Sequence, residues 1–479
     1  MTTTKIIATI GPRTADVDML RALYDAGMNI ARLNGSHADL EWHERTIGLI
    51  RDTLPDVPIL LDIPGRKIRT TLLAHEPSFK SGDLITLTTE PGHDGSEKVP
   101  VNYPALHEAL EAGNTVLADD GTLRFTVDRI VGQDIICRAE VDGTLKSRKG
   151  INVPMVTLKT PMVTERDHEM TAFARRNEVD FIGISFVESG AHVNAIRELT
   201  GGSWPRVVAK VENEGGMRNL EEIVAATDAI MIDRGDLSVE TALNTLAIFQ
   251  KRIIDSARAA GVPVIVATEM LHTMIDNPFP TKAEVSDITN AVLDGASATM
   301  LSGETAIGAY PIETVTAMRR IATTAATHYQ ENIAKYAPSH THRGEVPQVM
   351  EDAIALICRN LAVTKIVAVT ISGYAARMLS ARRPEQPIIA VSNDRMAARS
   401  FNLMAGVEGV FVDMKFPRDS VDHVAACLER LWDAGRIDEN DLVLVTAVGF
   451  PRSGNRMNLI QTHHVADLAT TLNWKARRS

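Results

Sequence analysis

A lysine and a glutamate interrupt an apolar run in VVAKVENEGG (207–216). Side chains of a strand alternate between its faces, so Lys210 and Glu212 point to one side while Ala209 and Val211 point to the other. A weak ion pair on an exposed strand is the common explanation for this spacing. The neighbouring valines instead fit a strand that is covered on both faces, as in a parallel sheet. Lys210 and Glu212 would then lie at the end of a buried strand, where charged side chains indicate a functional role.

A further carboxylate follows the next apolar run, at Asp236 in IDRGDLSVE (232–240). Adjacent strands lie about 4.8 Å apart, so Glu212 and Asp236 could hold one divalent cation between them. Two carboxylates that leave other positions open are the usual magnesium site of phosphoryl chemistry. Lys210 would then face the phosphate and neutralise charge as it transfers. The alternative is a structural ion-pair network at the same edge.

Eight short apolar runs must position these residues: 5–12, 29–36, 58–65, 180–187, 206–213, 229–236, 263–270 and 298–305. Most are separated by patterns with apolar residues three and four positions apart, which indicate helices. Alternating strands and helices predict a parallel sheet, and eight units predict an α/β fold with a closed (β/α)8 TIM barrel. In such barrels the carboxyl ends of the strands form the active rim. The predicted rim residues are Arg32, Asn34, Ser36, Asp62, Ser185, Lys210, Glu212, Asp236, Thr268 and Glu304.

More than a hundred residues separate the third run from the fourth, which is too long for one helix. Residues 71–153 read as several short strands with Gly and Asp turns, and predict an inserted small all-β domain that serves as a lid. The barrel domain then comprises 1–70 and 154–335. A polar linker follows at 336–348, and a second alternation predicts a three-layer α/β domain over 345–479.

The composition limits the partners of this 479-residue chain. A net charge of −11 and a pI near 5.7 disfavour a nucleic-acid partner, which requires a concentrated basic face. Cys137, Cys358 and Cys427 are far apart and lack metal-ligand spacing, which suits a reducing compartment. The first residues, MTTTKIIATIGPRT, contain no apolar run long enough for a secretory signal, and the sequence has no uninterrupted apolar stretch of about 20 residues. We therefore expect a cytoplasmic protein with no membrane anchor.

Four stretches resemble the pyruvate kinase family: AKVENEGG, IDRGDLSVE, ATEMLHTMIDNPFPTKAEVSDITNAVLDGA and MLSGETAIGAYPIE. The resemblance covers nearly the whole chain in the family's order, and the block from Asn277 to Glu304 is very specific. It implies the same three-domain architecture, with a C-terminal domain for effector binding and oligomerisation. It also implies phosphoryl transfer from phosphoenolpyruvate to ADP, giving pyruvate and ATP in glycolysis, with Mg2+ or Mn2+ as cofactor, by a homotetramer.

The resemblance assigns roles to individual residues. Lys210 corresponds to the catalytic lysine that contacts the transferring phosphoryl group and stabilises the enolate, and Glu212 and Asp236 correspond to the metal ligands. Arg32 corresponds to the arginine that holds the substrate phosphate. The amides of Gly235 and Asp236 and the hydroxyl of Thr268 correspond to the cradle for the substrate carboxylate, and Thr268 also to the position implicated in protonating the enolate. The nucleotide-binding positions correspond to His37, Arg69 and Lys149.

Potassium-dependent members bind a monovalent cation at positions that correspond to Asn34, Ser36, Asp62 and the carbonyl of Ile63. Lys67 stands where glutamate accompanies potassium dependence and lysine accompanies independence. A lysine ammonium is a compact point charge that can replace the cation electrostatically. The resemblance therefore predicts that K+ is not required. The alternative is that Lys67 is a solvated loop lysine.

The chain departs from the family pattern at several positions near the rim: Gly35, Ile63, Pro64, Arg66, Asp233, Ser238 and Glu269. Asp233 replaces alanine and Glu269 replaces glutamine, and these added carboxylates should weaken binding of an anionic substrate unless a new cation such as Arg66 compensates. Two alternatives stay open. One is a paralogue that acts on another enol phosphate or a 2-oxo acid by metal-dependent aldolase-type chemistry, and the other is a non-catalytic metabolite-binding regulator.

The C-terminal domain carries TISGYAARMLSARRPEQPIIAVS, which resembles the family's effector-binding region. Its loop retains Thr370, Ser372 and Gly373 but lacks the extra Lys and Ser of members activated by fructose 1,6-bisphosphate. The loop therefore favours a sugar-phosphate effector other than fructose 1,6-bisphosphate, if an effector binds here. The remaining histidine pairs, His340 with His342 and His463 with His464, are interpreted as surface or structural residues rather than metal ligands.

Overall fold

The computed structural model describes residues 4–65, 67–119, 121–154, 156, 158, 161–332, 346–417, 420–448 and 457–474. Arg66, His340 and His342 therefore lie outside the described residues. Within the described residues, no helix combines the length and the apolar character that crossing a membrane requires.

Three parallel strands and two helices open the chain: β1 (Lys5–Thr9), α1 (Val17–Ala26), β2 (Ile30–Asn34), α2 (Leu40–Thr53) and β3 (Ile59–Ile63). Side-chain caps fix where the helices begin, because Asp16 accepts from the amide of Met19 and Asp39 from that of Trp42.

A run of short strands follows: β4 (Ile68–Arg69), β5 (Ser78–Phe79), β6 (Leu84–Thr88), β7 (Val99–Pro100), α3 (Leu106–Ala109), β8 (Thr115–Ala118), β9 (Leu123–Val131), β10 (Asp134–Ala139), β11 (Gly143–Thr144) and β12 (Gly150–Asn152). Seven of them form one sheet in the order β4, β12, β8, β9, β10, β6, β7. β4 lies before residue 71, where the inserted domain was predicted to start, yet it pairs with β12. The sheet therefore begins at Ile68, because the strands that enter and leave the insert are paired with each other.

The chain then returns to the barrel through α4 (Glu165–Arg176), β13 (Phe181–Ile184), α5 (Gly190–Leu199), β14 (Arg206–Val211), α6 (Glu214–Arg218), α7 (Leu220–Ala226), β15 (Ala229–Asp233), α8 (Arg234–Glu240), α9 (Leu246–Ala259), β16 (Val264–Ala267), α10 (Lys282–Asp294), β17 (Ala298–Leu301), α11 (Gly303–Ala306) and α12 (Pro311–Glu331). The barrel closes in the order β1, β17, β16, β15, β14, β13, β3, β2. All eight predicted strands are present, and the (β/α)8 prediction is confirmed.

Each barrel strand contributes to two hydrophobic cores. On β14, Val207, Ala209 and Val211 pack with the surrounding helices, whereas Val208 packs inside the barrel. On β15, Met231 packs inside the barrel in the same way. This period of two determines which residues point into the barrel at the carboxyl ends of the strands.

The C-terminal domain contains α13 (Val346–Asn360), β18 (Lys365–Val369), α14 (Tyr374–Arg382), β19 (Ile388–Ser392), α15 (Arg395–Phe401), β20 (Val407–Phe411), α16 (Asp422–Asp433), β21 (Leu442–Ala447), β22 (Leu459–His464) and α17 (Val465–Thr471). The sheet order is β20, β19, β18, β21, β22, and one apolar cluster covers each face, which confirms three layers. β22 is antiparallel and was not predicted, because its sequence is largely polar.

The C-terminal domain closes the amino end of the barrel. Leu403 packs in the same apolar cluster as the residues of the barrel interior. Nearby, the buried carboxylate of Asp180 accepts hydrogen bonds from Arg51 of the barrel (2.6 Å) and Arg399 of the C-terminal domain (2.8 Å). The two domains thus share apolar and charged contacts at the end of the barrel opposite to Lys210.

Candidate active site at the barrel mouth

Lys210, Glu212 and Asp233 continue the inward-facing rows of β14 and β15. All three are buried, with exposed fractions of 6%, 0% and 7%. Lys210 Nζ lies 2.6 Å from Glu212 Oε1 and 3.1 Å from Asp233 Oδ2. The hydroxyl of Ser185 accepts a further hydrogen bond from Lys210 at 3.2 Å. Lys210 and Glu212 thus lie inside the barrel mouth.

A second ion pair lies beside this cluster. Arg32 donates from Nε (3.0 Å) and Nη2 (2.6 Å) to Asp62 Oδ2, and from Nη1 to Thr9 Oγ1 (3.1 Å). Asp62 also lies 3.9 Å from the ammonium of Lys210. Gly183 leaves room for this carboxylate, since a Cβ at that position would lie 2.1 Å from Asp62 Oδ1. Arg32 therefore has a fixed orientation at the mouth.

The charges shift the protonation equilibria of the cluster. Burial lowers the pKa of Lys210, but Glu212, Asp233 and Asp62 outweigh it and raise that pKa well above its ordinary value. Burial, with Asp233 and Asp236, raises the pKa of Glu212 to about 8 against the opposite effect of Lys210. Burial raises the pKa of Asp233, but Lys210 outweighs it and lowers that pKa. Lys210 thus stays charged, while Glu212 readily takes up a proton.

Lys67 reaches into the mouth from the segment that leads to the inserted domain. Its Nζ lies 2.5 Å from Asp236 Oδ1. Burial and then Asp233 raise the pKa of Asp236, and Lys67 acts in the opposite direction. The inserted domain makes a second contact here, because Asn152 of β12 donates to Glu240 of α8 (2.5 Å). A cavity of about 480 Å3 lies between the insert and the rim, lined in part by these residues.

Thr268 occupies an unusual backbone conformation at the end of β16. Its φ is +66°, and that of Glu269 is +54°. Both are uncommon for non-glycine residues and mark a strained turn. Arg234 supports this turn by donating to the carbonyl of Thr268 (2.7 Å), and the amide of Gly235 donates to Thr268 Oγ1 (2.9 Å). The amide of Gly235 and the hydroxyl of Thr268 are therefore adjacent.

Three carboxylates are arranged to hold a divalent cation. Ligand oxygens of Glu212, Asp233 and Asp236 all lie within 4.8 Å of one another. Carboxylate oxygens are the donors that Mg2+ and Mn2+ prefer, so these residues fit such an ion. Asp233 belongs to this cluster, whereas the metal-site prediction named only Glu212 and Asp236. The signal was its parity with Met231 on β15, since both belong to the inward row.

Comparisons with known proteins agree with this geometry. The chain matches the family described as "Pyruvate kinase, barrel domain" over residues 1–315, and "Pyruvate kinase, alpha/beta domain" over 348–463. It is 37% identical to a pyruvate kinase of Geobacillus stearothermophilus, over 97% of this chain and 81% of that one. It is also 37% identical to one of Clostridium perfringens, over 95% and 97% of the two chains. The chain belongs to the pyruvate kinase family.

A solved structure supports this membership. A crystal structure of a pyruvate kinase from Cryptosporidium parvum superposes with a TM-score of 0.85 and 32% identity, covering 96% of each chain. As a pyruvate kinase, the protein is a phosphotransferase that converts phosphoenolpyruvate and ADP to pyruvate and ATP. Pyruvate kinases require a divalent metal.

Arg69 links the three positions of this pyruvate kinase that were predicted to bind nucleotide, because it acts on His37 and its strand pairs beside Lys149. Arg32 and Arg69 both act electrostatically on His37, and with burial as the larger cause they lower its pKa. Arg69 of β4 pairs with Gly150, which follows Lys149. Lys149 itself forms an ion pair with Asp119 (2.6 Å).

The positions predicted for a monovalent cation are partly occupied by other contacts. Asn34 Oδ1 accepts from the amide of Ser36 (3.1 Å), and the carbonyl of Ile63 accepts from Ser185 (3.3 Å). Asp62 is bound to Arg32. Lys67 contacts Asp236.

The departures from the family pattern differ in their surroundings. At Gly35 a Cβ would lie 2.5 Å from the carbonyl of Asp62 and 2.6 Å from Met170, so the backbone leaves no room for a side chain. Ser238 donates to the carbonyl of Gly235 (2.9 Å). Glu269 is exposed, whereas Asp233 contacts Lys210.

Two other predicted features have contacts of their own. Glu304 follows the carboxyl end of β17, is buried and accepts from the amides of Leu271 and Ser302, which hold its carboxylate in place. In the loop that was predicted to bind an effector, Gly373 has a φ of +80° and its amide donates to Thr370 Oγ1 (3.0 Å). The carbonyl of Ser372 accepts from Arg206, at the amino end of β14 (3.3 Å). This loop therefore contacts the strand that carries Lys210 at its other end.

Proposed function

We propose that this pyruvate kinase uses Mg2+ or Mn2+ held by Glu212 and Asp236, with Lys210 as its principal catalytic residue. The main support for this proposal is that the Lys210 ammonium is buried among carboxylates that fit a divalent cation. The bound cation would supply electrostatic stabilisation of charge on the transferring phosphoryl group and on the enolate oxygen. The adjacent Lys210 supplies the second positive charge at the same position.

Arg32 is proposed to bind the phosphate of phosphoenolpyruvate. Its contacts to Asp62 and Thr9 fix the guanidinium, and a fixed, planar donor group is suited to phosphate. The amides of Gly235 and Asp236 with the hydroxyl of Thr268 are proposed to bind the substrate carboxylate. The hydroxyl of Thr268 accepts from the amide of Gly235 and donates to the carbonyl of Ala267 (2.6 Å), which fixes its direction, and this position is proposed to take part in protonating the enolate.

His37, Arg69 and Lys149 are proposed to bind the nucleotide. The lowered pKa of His37, caused by burial and by Arg69 and Arg32, keeps the imidazole neutral at neutral pH. Arg69 and Lys149 carry the positive charge that ADP phosphates require.

We further propose that K+ is not required. Lys67 is largely buried and contacts Asp236, which argues against a solvated loop lysine and supports a fixed charge in the mouth. Finally, a sugar-phosphate effector at Thr370, Ser372 and Gly373, a homotetrameric state and a cytoplasmic location are proposed from the family resemblance.

One assay tests these assignments: pyruvate formation from phosphoenolpyruvate, ADP and Mg2+, with K+ or with a bulky organic cation instead. We expect turnover in both salts, and a loss of at least about a thousandfold for Lys210→Met. Activity only with K+ would contradict the role of Lys67, and full activity of Lys210→Met would contradict that of Lys210. Absence of pyruvate under every metal would favour the aldolase-type or regulatory alternatives.

A further inference from the structure

Asp233 is the buried one of the two carboxylates that are added to the family pattern, which has alanine at this position. It is the last residue of β15, its side chain is 9% exposed, and its Oδ2 lies 3.1 Å from Lys210 Nζ. The roles proposed for Glu212, Asp236 and the substrate-binding residues do not require a carboxylate at this position. Asp233 contacts the ammonium of Lys210 and also belongs to the carboxylate cluster, and these two contacts suggest its role.

The salt bridges of the mouth join three cationic side chains to four carboxylates: Arg32, Lys67 and Lys210 to Asp62, Glu212, Asp233 and Asp236. With every one of these groups ionised and alanine in place of Asp233, the charges would balance. Asp233 adds one negative charge to this set, which favours a divalent cation and opposes a phosphorylated substrate.

The carboxylate of Asp233 also uses one hydrogen-bond donor of the Lys210 ammonium. A lysine ammonium has three donor hydrogens. Within hydrogen-bonding distance of Lys210 Nζ lie Glu212, Asp233 and Ser185, at 2.6, 3.1 and 3.2 Å. A phosphoryl group that binds Lys210 must displace one of them, and without a cation it would meet unneutralised carboxylates.

We propose that Asp233 is a third carboxylate ligand of the divalent cation and that it holds Lys210 until that cation binds, so this enzyme takes the cation before phosphoenolpyruvate. The inference rests on the metal site of the proposed function. A cation attracts Asp233 and Glu212, and their weaker hold on the ammonium leaves Lys210 available to the phosphoryl group. Asp233 would therefore set both the affinity for the cation and the order in which the cation and phosphoenolpyruvate bind.

The first test is a titration of the metal-free protein with Mn2+. Electron paramagnetic resonance measures the concentration of free Mn2+ at each step. Asp233→Ala is expected to raise the Mn2+ dissociation constant at least about tenfold, and Asp233→Asn by a smaller factor. Glu269→Gln is the matched control, since it removes one exposed carboxylate of the same rim, and we expect a change below about twofold.

The second test is equilibrium dialysis of phosphoenolpyruvate with the same proteins in a chelator. Asp233→Ala is expected to bind the metal-free substrate at least about threefold more tightly than the parent, because a negative charge is removed and Lys210 is released. Circular dichroism checks folding, and Asp233→Asn carries the test if the alanine variant does not fold.

The outcomes separate two failures. A parent protein that binds no Mn2+ overturns the metal site itself. Equal Mn2+ affinity in the parent and both Asp233 variants, unchanged metal-free substrate binding, or an equal effect of Glu269→Gln overturns only the role of Asp233.

Discussion

At the residue scale, the chemistry depends on how buried charges neutralise one another. Lys210 and Arg32 are almost inaccessible to water, and burying either without a partner would be strongly unfavourable. Asp233 offsets the charge of Lys210, together with Glu212 when that carboxyl is ionised, and Asp62 offsets the charge of Arg32. The carboxylates therefore stabilise cations that the anionic substrate needs, in a protein of net charge −11.

If Glu212 binds the cation as proposed, its raised pKa makes the metal affinity depend on pH. With a pKa of about 8, caused by burial with Asp233 and Asp236, the carboxyl carries a proton below pH 8 that must leave when it binds a cation. We expect Mn2+ affinity to rise from pH 6 to 8, by up to about tenfold per pH unit, and to level off above pH 8. Calorimetry in two buffers of different ionisation enthalpy measures how many protons are released when Mn2+ binds. An Mn2+ affinity that does not change between pH 6 and 8 would contradict this prediction.

At the element scale, strand alternation and register assemble the site. β3 and β13 are adjacent, and Asp62 of one is in register with Gly183 of the other. Both positions face the barrel interior, so a side chain at the second would overlap the carboxylate of the first. A glycine in the middle of a strand weakens it, and here it is needed for the close approach of its neighbour.

Gly183→Ala should therefore disturb the proposed substrate phosphate site at Arg32. The added Cβ would lie 2.1 Å from Asp62 Oδ1, and moving Asp62 would also move Arg32. We expect the KM for phosphoenolpyruvate to rise at least about tenfold, with a loss of about 1–3 kcal/mol in stability from overpacking. Steady-state kinetics and thermal unfolding measure both effects.

Gly48→Ala is the matched control, because its Cβ would meet nothing within 4 Å. Gly48 lies inside α2, so alanine should stabilise the protein by roughly 0.5–1 kcal/mol and leave KM unchanged. A parental KM in Gly183→Ala would contradict the role assigned to that glycine.

At the scale of the whole molecule, the barrel is covered at both ends. The insert meets the carboxyl end through Lys67 and Asn152, whereas the C-terminal domain meets the amino end through Leu403 and Arg399. The two ends have different characters. Polar contacts that an arriving ligand could replace lie at the first, and a buried ion pair with apolar packing lies at the second. The first is therefore suited to opening, and the second to a permanent interface.

Asp180→Ala should destabilise the contact between the barrel and the C-terminal domain. The variant leaves Arg399, whose side chain is 6% exposed, without the carboxylate that neutralises it. Breaking a buried pair in this way costs about 3–5 kcal/mol. Calorimetry should show a lower melting temperature or a separate transition for the C-terminal domain. Glu41→Ala removes the exposed pair with Arg45 and should leave the unfolding curve unchanged, and equal curves for both variants would contradict the prediction.

The sequence by itself determined the parts that depend on local period. Eight apolar runs predicted the barrel strands, and the spacing of Lys210 and Glu212 placed both charges on one face, because alternation along a strand is fixed by backbone geometry. The long interval after the third run predicted an insert. The antiparallel β22 escaped prediction, since neither its composition nor its spacing marks a strand.

Only the tertiary structure decided which charges meet. Asp233 follows the same alternation as Lys210, yet its contact with that lysine depends on the adjacency of β14 and β15 and on their register. Glu304 also follows a barrel strand, but nearby backbone amides bind its carboxylate. Lys67 reaches Asp236 across 169 positions of sequence. Alternation gives each residue a direction, whereas the closure of the barrel sets the distances between residues, and electrostatic energies depend on those distances.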